Sequence, residues 1–237
     1  EVACSSGRSL MSLIDSVLTF SKIQTGQITL VEQDCYLAEI LDEVVGQLAE
    51  KTLKKSINLG YVLPRHFPSV VITDSVKLKQ ILIQLLDNAI KFTHFGEVSI
   101  YVELDKTTQD MCFVVKDEGI GIDKQDHKQI FRPFFQVNPA SEKIYQGLGL
   151  GLTIANELTT VMKGQLDLTS RLGHGTNFKL RLPVKLPAEI TTTEKKPELI
   201  NQTFLLVTRS PVIRDSVSNS IESVSYTHLT LPTIPTV

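Results

Sequence analysis

Three short stretches decide the fold of this chain: residues 85–92 read LLDNAIKF, residues 117–122 read DEGIGI and residues 147–152 read GLGLGL. The amide oxygen of Asn88 can ligate a hard cation, and the carboxylate of Asp117 can accept a hydrogen bond from an adenine amino group. Glycines that open a helix leave backbone N–H groups free to bind phosphates. Each stretch alone is weak evidence, but the ordered set predicts a site for a magnesium-bound adenine nucleotide.

Hydrophobic periodicity assigns these stretches to secondary structure. Apolar residues recur at helical spacing and leave Gln84, Asn88 and Lys91 together on another stripe, which we expect to face the nucleotide. The apolar positions are Leu78, Ile81, Leu82, Leu85, Leu86, Ala89 and Ile90. Two predicted strands follow, at about 98–104 and 111–116, and the second delivers Asp117 at its end. A helix is predicted to begin at about Leu150.

The other elements are predicted from the same patterns and from turn residues. A helix is expected with an apolar stripe from Leu10 to Phe20, ending where Gly26 breaks it, and further helices at about 37–53 and 212–221. Strands are expected at about 28–32, 58–63, 70–73, 165–170, 176–182 and 204–207. A polar run after Pro187, including TTTEKKP at 191–197, predicts a linker.

From about Ser9 to Leu186 the chain resembles the ATP-binding domain of sensor histidine kinases, the Bergerat fold, in five motifs. The resemblance implies an α/β two-layer sandwich, a mixed sheet with helices on one face, preceded by one helix of a dimerisation hairpin. The expected division of the chain is a partial hairpin helix at 1–26, the ATP-binding domain at 27–187, a linker at 188–200 and the start of a receiver-like domain at 201–223. Residues 224–233, VSYTHLTLPT, look like a translated DNA-sequencing adapter, so we expect 224–237 to be a non-native tail.

The resemblance also implies site residues and the cofactors ATP and Mg2+. Asn88 would hold Mg2+, Asp117 would accept the adenine amino group, and Lys143, in a lid at about 136–148, would stabilise charge on the transferred phosphoryl group. Gln84 takes a catalytic position where an asparagine is more usual. The other nucleotide-binding positions would be Lys91, Gly119, Gly121, Phe134, Gly147, Gly149, Gly151, Leu152 and Thr176.

Structural alternatives stand beside these roles. Asn88 could belong to a solvated polar face, Asp117 could cap a turn, and Lys143 could be an ordinary surface lysine. Phe134 belongs to IFRPFF at 130–135, which resembles the phenylalanine box of the family, and its aromatic residues could serve lid packing.

Gln84 also bears on the reaction, because an amide cannot take a proton from water as a glutamate can. Hydrolysis of the DNA gyrase and chaperone type is therefore disfavoured against transfer of the γ-phosphoryl group to a histidine, which depends on positioning and charge stabilisation. None of the five histidines lies between Ser9 and Ile23, so this chain is not expected to phosphorylate itself. A degenerate nucleotide-binding module stays open, because Gln146 and Leu148 replace a glycine and a threonine that are common in the family.

Composition excludes other classes of protein. A formal net charge of -2 gives no basic excess for nucleic acid, and three scattered cysteines argue against a disulfide framework and for a reducing cytosol. No apolar run reaches the roughly 18 residues of a membrane helix. Since the chain starts at Glu1, we expect a piece of a longer cytoplasmic protein, attached to a membrane only through other parts. Expected partners are a second copy through the hairpin and a receiver domain or response regulator.

Overall fold

The computed structural model describes residues 2–64, 67–105, 108, 110–137, 148–187, 208 and 210–224. Five helices and seven strands occur in these ranges: α1 (Val2–Gln24), β1 (Gln33–Tyr36), α2 (Leu37–Lys55), β2 (Ile57–Val62), β3 (Val70–Thr73), α3 (Ser75–Phe92), β4 (Gly96–Leu104), β5 (Asp110–Asp117), α4 (Gly151–Val161), β6 (Gln165–Ser170), β7 (Thr176–Pro183) and α5 (Pro211–Val224).

The main sheet has five strands in the order β2-β4-β5-β7-β6. β2 runs parallel to β4, and the other neighbours are antiparallel. One face of the sheet packs against α2, α3 and α4, because β4, β5 and β7 turn alternate apolar side chains toward these helices. Val98, Ile100, Phe113, Phe178 and Leu180 are among the fully buried residues of this layer. The structure confirms the predicted α/β sandwich with a mixed sheet.

Helix α3 lies at the centre of the helical layer. Its apolar stripe is buried as predicted, and the helix begins at an Asp74 cap whose carboxylate accepts a hydrogen bond from the Lys77 N–H at 3.0 Å. The other Asp74 oxygen accepts the Val31 N–H at 2.9 Å. Since a side chain anchors this segment, no strand forms at 28–32, and the prediction of one there was wrong. The strand begins at Gln33 instead and pairs antiparallel with β3.

The two terminal helices lie outside this sandwich core. α1 contacts α4 through one side, whereas Leu10, Met11, Ile14, Val17 and Leu18 on α1 are exposed. α5 packs against β2. The predicted strand at 204–207 and the linker at 188–200 lie outside the described residues, so the proposed domain boundaries there stay predictions. Among the helices of the described ranges, none is long and apolar enough to cross a membrane.

Candidate functional site

Polar residues and glycines of α3, α4 and the β5 end converge at one end of the sandwich. Gln84 of α3 lies beside the first residue of α4, since a Cβ at Gly151 would lie 2.7 Å from its Oε1 atom. The end of α3 contacts the turn after β5, where the Ile120 N–H donates to the Phe92 carbonyl at 3.3 Å. The fold thus joins three segments that are far apart in sequence.

Asn88 and Lys91 are both half-buried on the polar stripe of α3, as predicted. Burial lowers the pKa of the Lys91 ammonium group, and the nearby Asp87 carboxylate partly offsets that effect. The Lys91 Nζ atom lies 5.0 Å from the centroid of the Phe92 ring. A half-buried ammonium group beside an amide suits an anionic ligand, because the ammonium and amide groups can both contact the ligand while they stay partly hydrated.

Asp117 is a buried carboxylate at the end of β5, only 6% exposed. Its Oδ1 atom accepts hydrogen bonds from the Gly119 N–H at 2.9 Å and the Thr176 N–H at 3.1 Å. Burial raises the pKa of Asp117, and the hydrogen bonds from Gly119 and Thr176 oppose that rise. The Thr176 hydroxyl is held in turn 3.1 Å from the hydroxyl of Ser170. The Asp117 carboxylate therefore has a fixed orientation, and its bond with Thr176 reaches beyond the local turn.

The glycines of the DEGIGI turn are required by the protein's own packing. A Cβ at Gly119 would lie 2.6 Å from the Phe92 carbonyl oxygen, and one at Gly121 would overlap the Arg171 carbonyl oxygen. Of the two, Gly121 has the left-handed φ of 70°, whereas Gly119 does not have a positive φ. Gly121 therefore needs glycine for its left-handed backbone, whereas Gly119 needs it for the close approach of the end of α3.

Of the remaining predicted positions, Gly149, Leu152 and Phe134 lie within the described residues. Gly149 has φ 69° and lies close to the Phe134–Phe135 backbone, and Leu152 packs against the hydrophobic core. Phe134 is 62% exposed, and its ring lies edge-on to Phe20 of α1 at a centroid distance of 6.3 Å. This contact favours a packing role for the phenylalanine box. Lys143, Gln146 and Gly147 lie outside the described residues.

An apolar groove lies apart from these polar groups. It has a volume of about 260 Å³ and is lined by Leu13, Ile14, Val17 and Leu18 of α1 together with Leu148. Leu148, which replaces the threonine common in the family, therefore lines this groove together with α1. The substitution places an apolar side chain on the groove wall in place of a hydroxyl.

Lys55 is a site-supporting residue that the sequence did not indicate. Its Nζ atom donates to the carbonyl oxygens of Ile90 and Lys91 at 2.7 Å and of Thr93 at 3.3 Å, so it caps the end of α3. Burial lowers its pKa, with a smaller opposing effect from Asp87. The basic end of α2 at residues 54–55 was a weak signal, because lysines there could serve α2 itself.

A cation at this site would have to bind oxygen atoms other than those of a cluster of acidic side chains. Within the described ranges no group of three or more His, Cys, Asp or Glu residues could hold a metal ion. An amide oxygen such as that of Asn88 suits Mg2+, which usually keeps several waters and binds one or two protein oxygens together with phosphate oxygens. The donor set therefore fits Mg2+ bound together with a nucleotide.

Comparison with known proteins decides the family. Residues 73–186 match the family described as histidine kinase-, DNA gyrase B-, and HSP90-like ATPases. The sandwich domain belongs to this family. Among relatives, the "Hybrid signal transduction histidine kinase B" of Dictyostelium discoideum is 33% identical over 189 residues, which are 78% of this chain and 10% of that protein. The "Autoinducer 2 sensor kinase/phosphatase LuxQ" of Vibrio cholerae is 36% identical over 192 residues, 78% of this chain and 22% of that protein.

Solved structures agree with this membership. Full-length ShkA in complex with AMPPNP superposes with a TM-score of 0.77 over 96% of this chain and 47% of that chain, at 24% identity, which shows the shared fold. The catalytic domain of histidine kinase ThkA superposes with a TM-score of 0.54 over 65% of this chain and 97% of that chain, at 28% identity. The chain thus contains a catalytic ATP-binding domain of the sensor histidine kinase type. It spans only about a tenth to a fifth of the length of the two curated relatives.

Proposed function

We propose that this chain is the catalytic part of a hybrid sensor histidine kinase, which binds Mg-ATP and transfers the γ-phosphoryl group to a histidine of a dimerisation hairpin. The buried Asp117 carboxylate, oriented by the N–H groups of Gly119 and Thr176, is the observation that carries the proposal. A carboxylate has about four acceptor positions, and two are already used on one oxygen. The other oxygen is therefore able to accept the amino group of adenine.

The polar stripe of α3 would bind the phosphates and their cation. Asn88 would contribute its side-chain oxygen to Mg2+, and Lys91 would donate to phosphate oxygens. Bound Mg2+ would neutralise charge on the phosphates during phosphoryl transfer. Gly149 and Gly151 flank the start of α4, where free backbone N–H groups favour an anion. We assign the same phosphate-binding role to Gly147 and a charge-stabilising role to Lys143 in the lid.

Transfer to a protein acceptor is favoured over hydrolysis by Gln84. Its amide lies beside Gly151, at the start of α4, and an amide cannot act as a general base on water. The acceptor histidine would come from another helix, because α1 carries none. The exposed apolar face of α1 supports a hairpin partner and a homodimer there, since a helix must cover such a stripe to stabilise it. A receiver aspartate would then take the phosphoryl group, and the domain would work on the cytoplasmic side.

The proposal is tested first by calorimetry on the full chain. Mg-ATP should bind, Mg-GTP should bind much more weakly, and EDTA should weaken ATP binding. For the transfer step, the chain is extended at Glu1 by a helix bearing a histidine and supplied with γ-labelled ATP. Acid-labile, base-stable label on that histidine is expected, and none is expected on the chain without the added helix. Tight Mg-ATP binding without label would favour a degenerate nucleotide-binding module, and steady phosphate release without label would favour an ATPase.

A further inference from the structure

Helix α5 covers part of the sheet face that α2, α3 and α4 leave uncovered. In β2, Ile57 and Leu59 pack with the core, so strand alternation turns Gly60 to the opposite face. A Cβ at Gly60 would lie 3.4 Å from the Val212 Cγ1 atom of α5, and Val212 is fully buried. Ser99, the register partner of Gly60 on β4, is also buried. The small residues at 60 and 99 leave room for an α5 side chain at the sheet edge.

Polar contacts attach the beginning of α5 to β4. The Ser210 hydroxyl donates to the Glu97 Oε2 atom at 2.6 Å, and the Val212 N–H donates to the same oxygen at 3.4 Å. The Ser210 hydroxyl oxygen also accepts the Ile213 N–H at 3.2 Å, which makes Ser210 the helix cap before Pro211. A carboxylate at a helix N-terminus interacts favourably with the helix dipole. Glu97 therefore binds α5 through both hydrogen bonding and charge.

A third contact shows that one continuous side of α5 is docked. The Asn219 side-chain N–H donates to the Leu63 carbonyl at 3.2 Å, seven residues after Val212 in the chain. Positions 212, 216 and 219 share one face of a helix by their spacing. Arg214 lies on the other side, is exposed and pairs with Asp215. The docked face and the free face of α5 are thus both defined.

Glu97 continues this contact to the turn that contains Asp117. The Glu97 N–H donates to the Glu118 Oε2 atom at 3.1 Å, and the Glu118 N–H donates to the Glu97 carbonyl at 3.3 Å. Glu118 is the chain neighbour of both Asp117 and Gly119, whose N–H donates to the Asp117 carboxylate. Hydrogen bonds, joined through the covalent chain at Glu97 and at residues 117–119, therefore connect the start of α5 to the buried carboxylate.

We propose that residues 210–219 form an intramolecular docking element, through which the part of the chain beyond the predicted linker is coupled to the nucleotide-binding turn. Docking holds Glu97 and Glu118 in place, which pre-organises the turn and so strengthens nucleotide binding. By linkage, bound nucleotide strengthens docking by the same factor. The docking stands independently, whereas its coupling to nucleotide rests on the proposed function.

The docked arrangement is tested by a disulfide in the full chain. Gly60→Cys combined with Val212→Cys should form a disulfide under mild oxidation, because a Cβ at residue 60 would lie 3.4 Å from the Val212 Cγ1 atom, the position that a cysteine sulfur can take. Gly60→Cys combined with Arg214→Cys is the matched control, with nearly the same chain separation but with the second cysteine on the free side of the helix. Mass spectrometry of proteolytic fragments should find the 60–212 bond and little 60–214 bond. Equal yields in the two variants would overturn the docking.

The coupling is tested by undocking α5 with Val212→Asp, with Asn219→Ala as a milder second variant and Arg214→Ala as the control. Amide hydrogen exchange should speed up at Ile213 and also at Glu118, and Mg-ATP affinity should fall by roughly fivefold, the low end of measured couplings. The control should leave both unchanged. Faster exchange in α5 with unchanged Glu118 exchange and ATP affinity would overturn the coupling. If the unaltered chain binds no ATP, the proposed function fails, while the disulfide and exchange results still decide the docking.

Discussion

Replacing Asp117 by asparagine separates the proposed adenine-binding role of this carboxylate from its structural role. One oxygen of Asp117 accepts the Gly119 and Thr176 N–H groups at 2.9 and 3.1 Å. If the asparagine oxygen keeps these two bonds, its NH2 group points at the adenine amino group, and two donors face each other. If the amide flips, the NH2 group faces the two backbone N–H groups instead. Either orientation loses an acceptor that the carboxylate supplied.

The expected magnitude follows from one hydrogen bond to a charged acceptor. Losing this bond should cost about 1.5 to 3 kcal/mol of binding free energy, which raises the ATP dissociation constant roughly tenfold to 150-fold. Guanine carries a carbonyl oxygen where adenine carries the amino group. Asp117→Asn should therefore bind GTP no worse than the unaltered chain does, and its preference for ATP over GTP should shrink.

Calorimetric titrations with Mg-ATP and Mg-GTP measure both effects. Asp110→Asn is the matched control, because it makes the same exchange at the opposite end of β5, about 23 Å away by strand rise. The control should keep the affinity and selectivity of the unaltered chain. Equal ATP affinity in the unaltered chain and in Asp117→Asn, with both folded by circular dichroism, would refute the assignment of Asp117 to adenine.

Three further predictions concern the metal, the proton and the turn. Asn88→Ala should weaken ATP binding with Mg2+ far more than with EDTA, and equal losses in the two titrations would make Asn88 structural. Because burial raises the pKa of Asp117, its carboxylate gains a proton as pH falls through that raised value, so ATP affinity should drop at a higher pH than an ordinary aspartate would give. The Asp117→Asn variant should lack this pH-dependent loss of affinity, and identical pH profiles of the variant and the unaltered chain would contradict the prediction. The same raised pKa means that Asp117 lowers folding stability as pH rises through its window, since the folded state holds the proton longer. Gly121→Ala should destabilise the fold by about 1 to 2 kcal/mol from φ alone, and by more through overlap with Arg171. Gly46→Ala, in open space on α2, should instead stabilise the fold by about 0.5 to 1 kcal/mol. Urea unfolding measures the stability of both variants, and equal stability would disprove the strain at Gly121.

Local patterns in the sequence were sufficient for most of the helices and strands. The bounds predicted for β3 and β6 match the structure, and the apolar stripe of α3 is buried at every predicted position. The position of Asp117 at the end of β5 also followed from the sequence. These features depend on residues two to four positions apart, which are neighbours in space in any helix or strand. The failed strand at 28–32 shows the limit of such patterns, because its backbone is bound by Asp74, 43 positions after Val31.

The sequence by itself determined the family, the sandwich and the residue types of the proposed nucleotide site. Only the tertiary structure decided how those residues are held, since the groups that hold them lie far away in the chain. Thr176 donates to Asp117 across 59 positions, Lys55 caps α3 across 35, and Ser210 binds Glu97 across 113. Such contacts leave no periodic signal, because any of many polar residues could have met after folding. The hydrophobic layer brings them together, and burial then makes each polar group require the partner it has met.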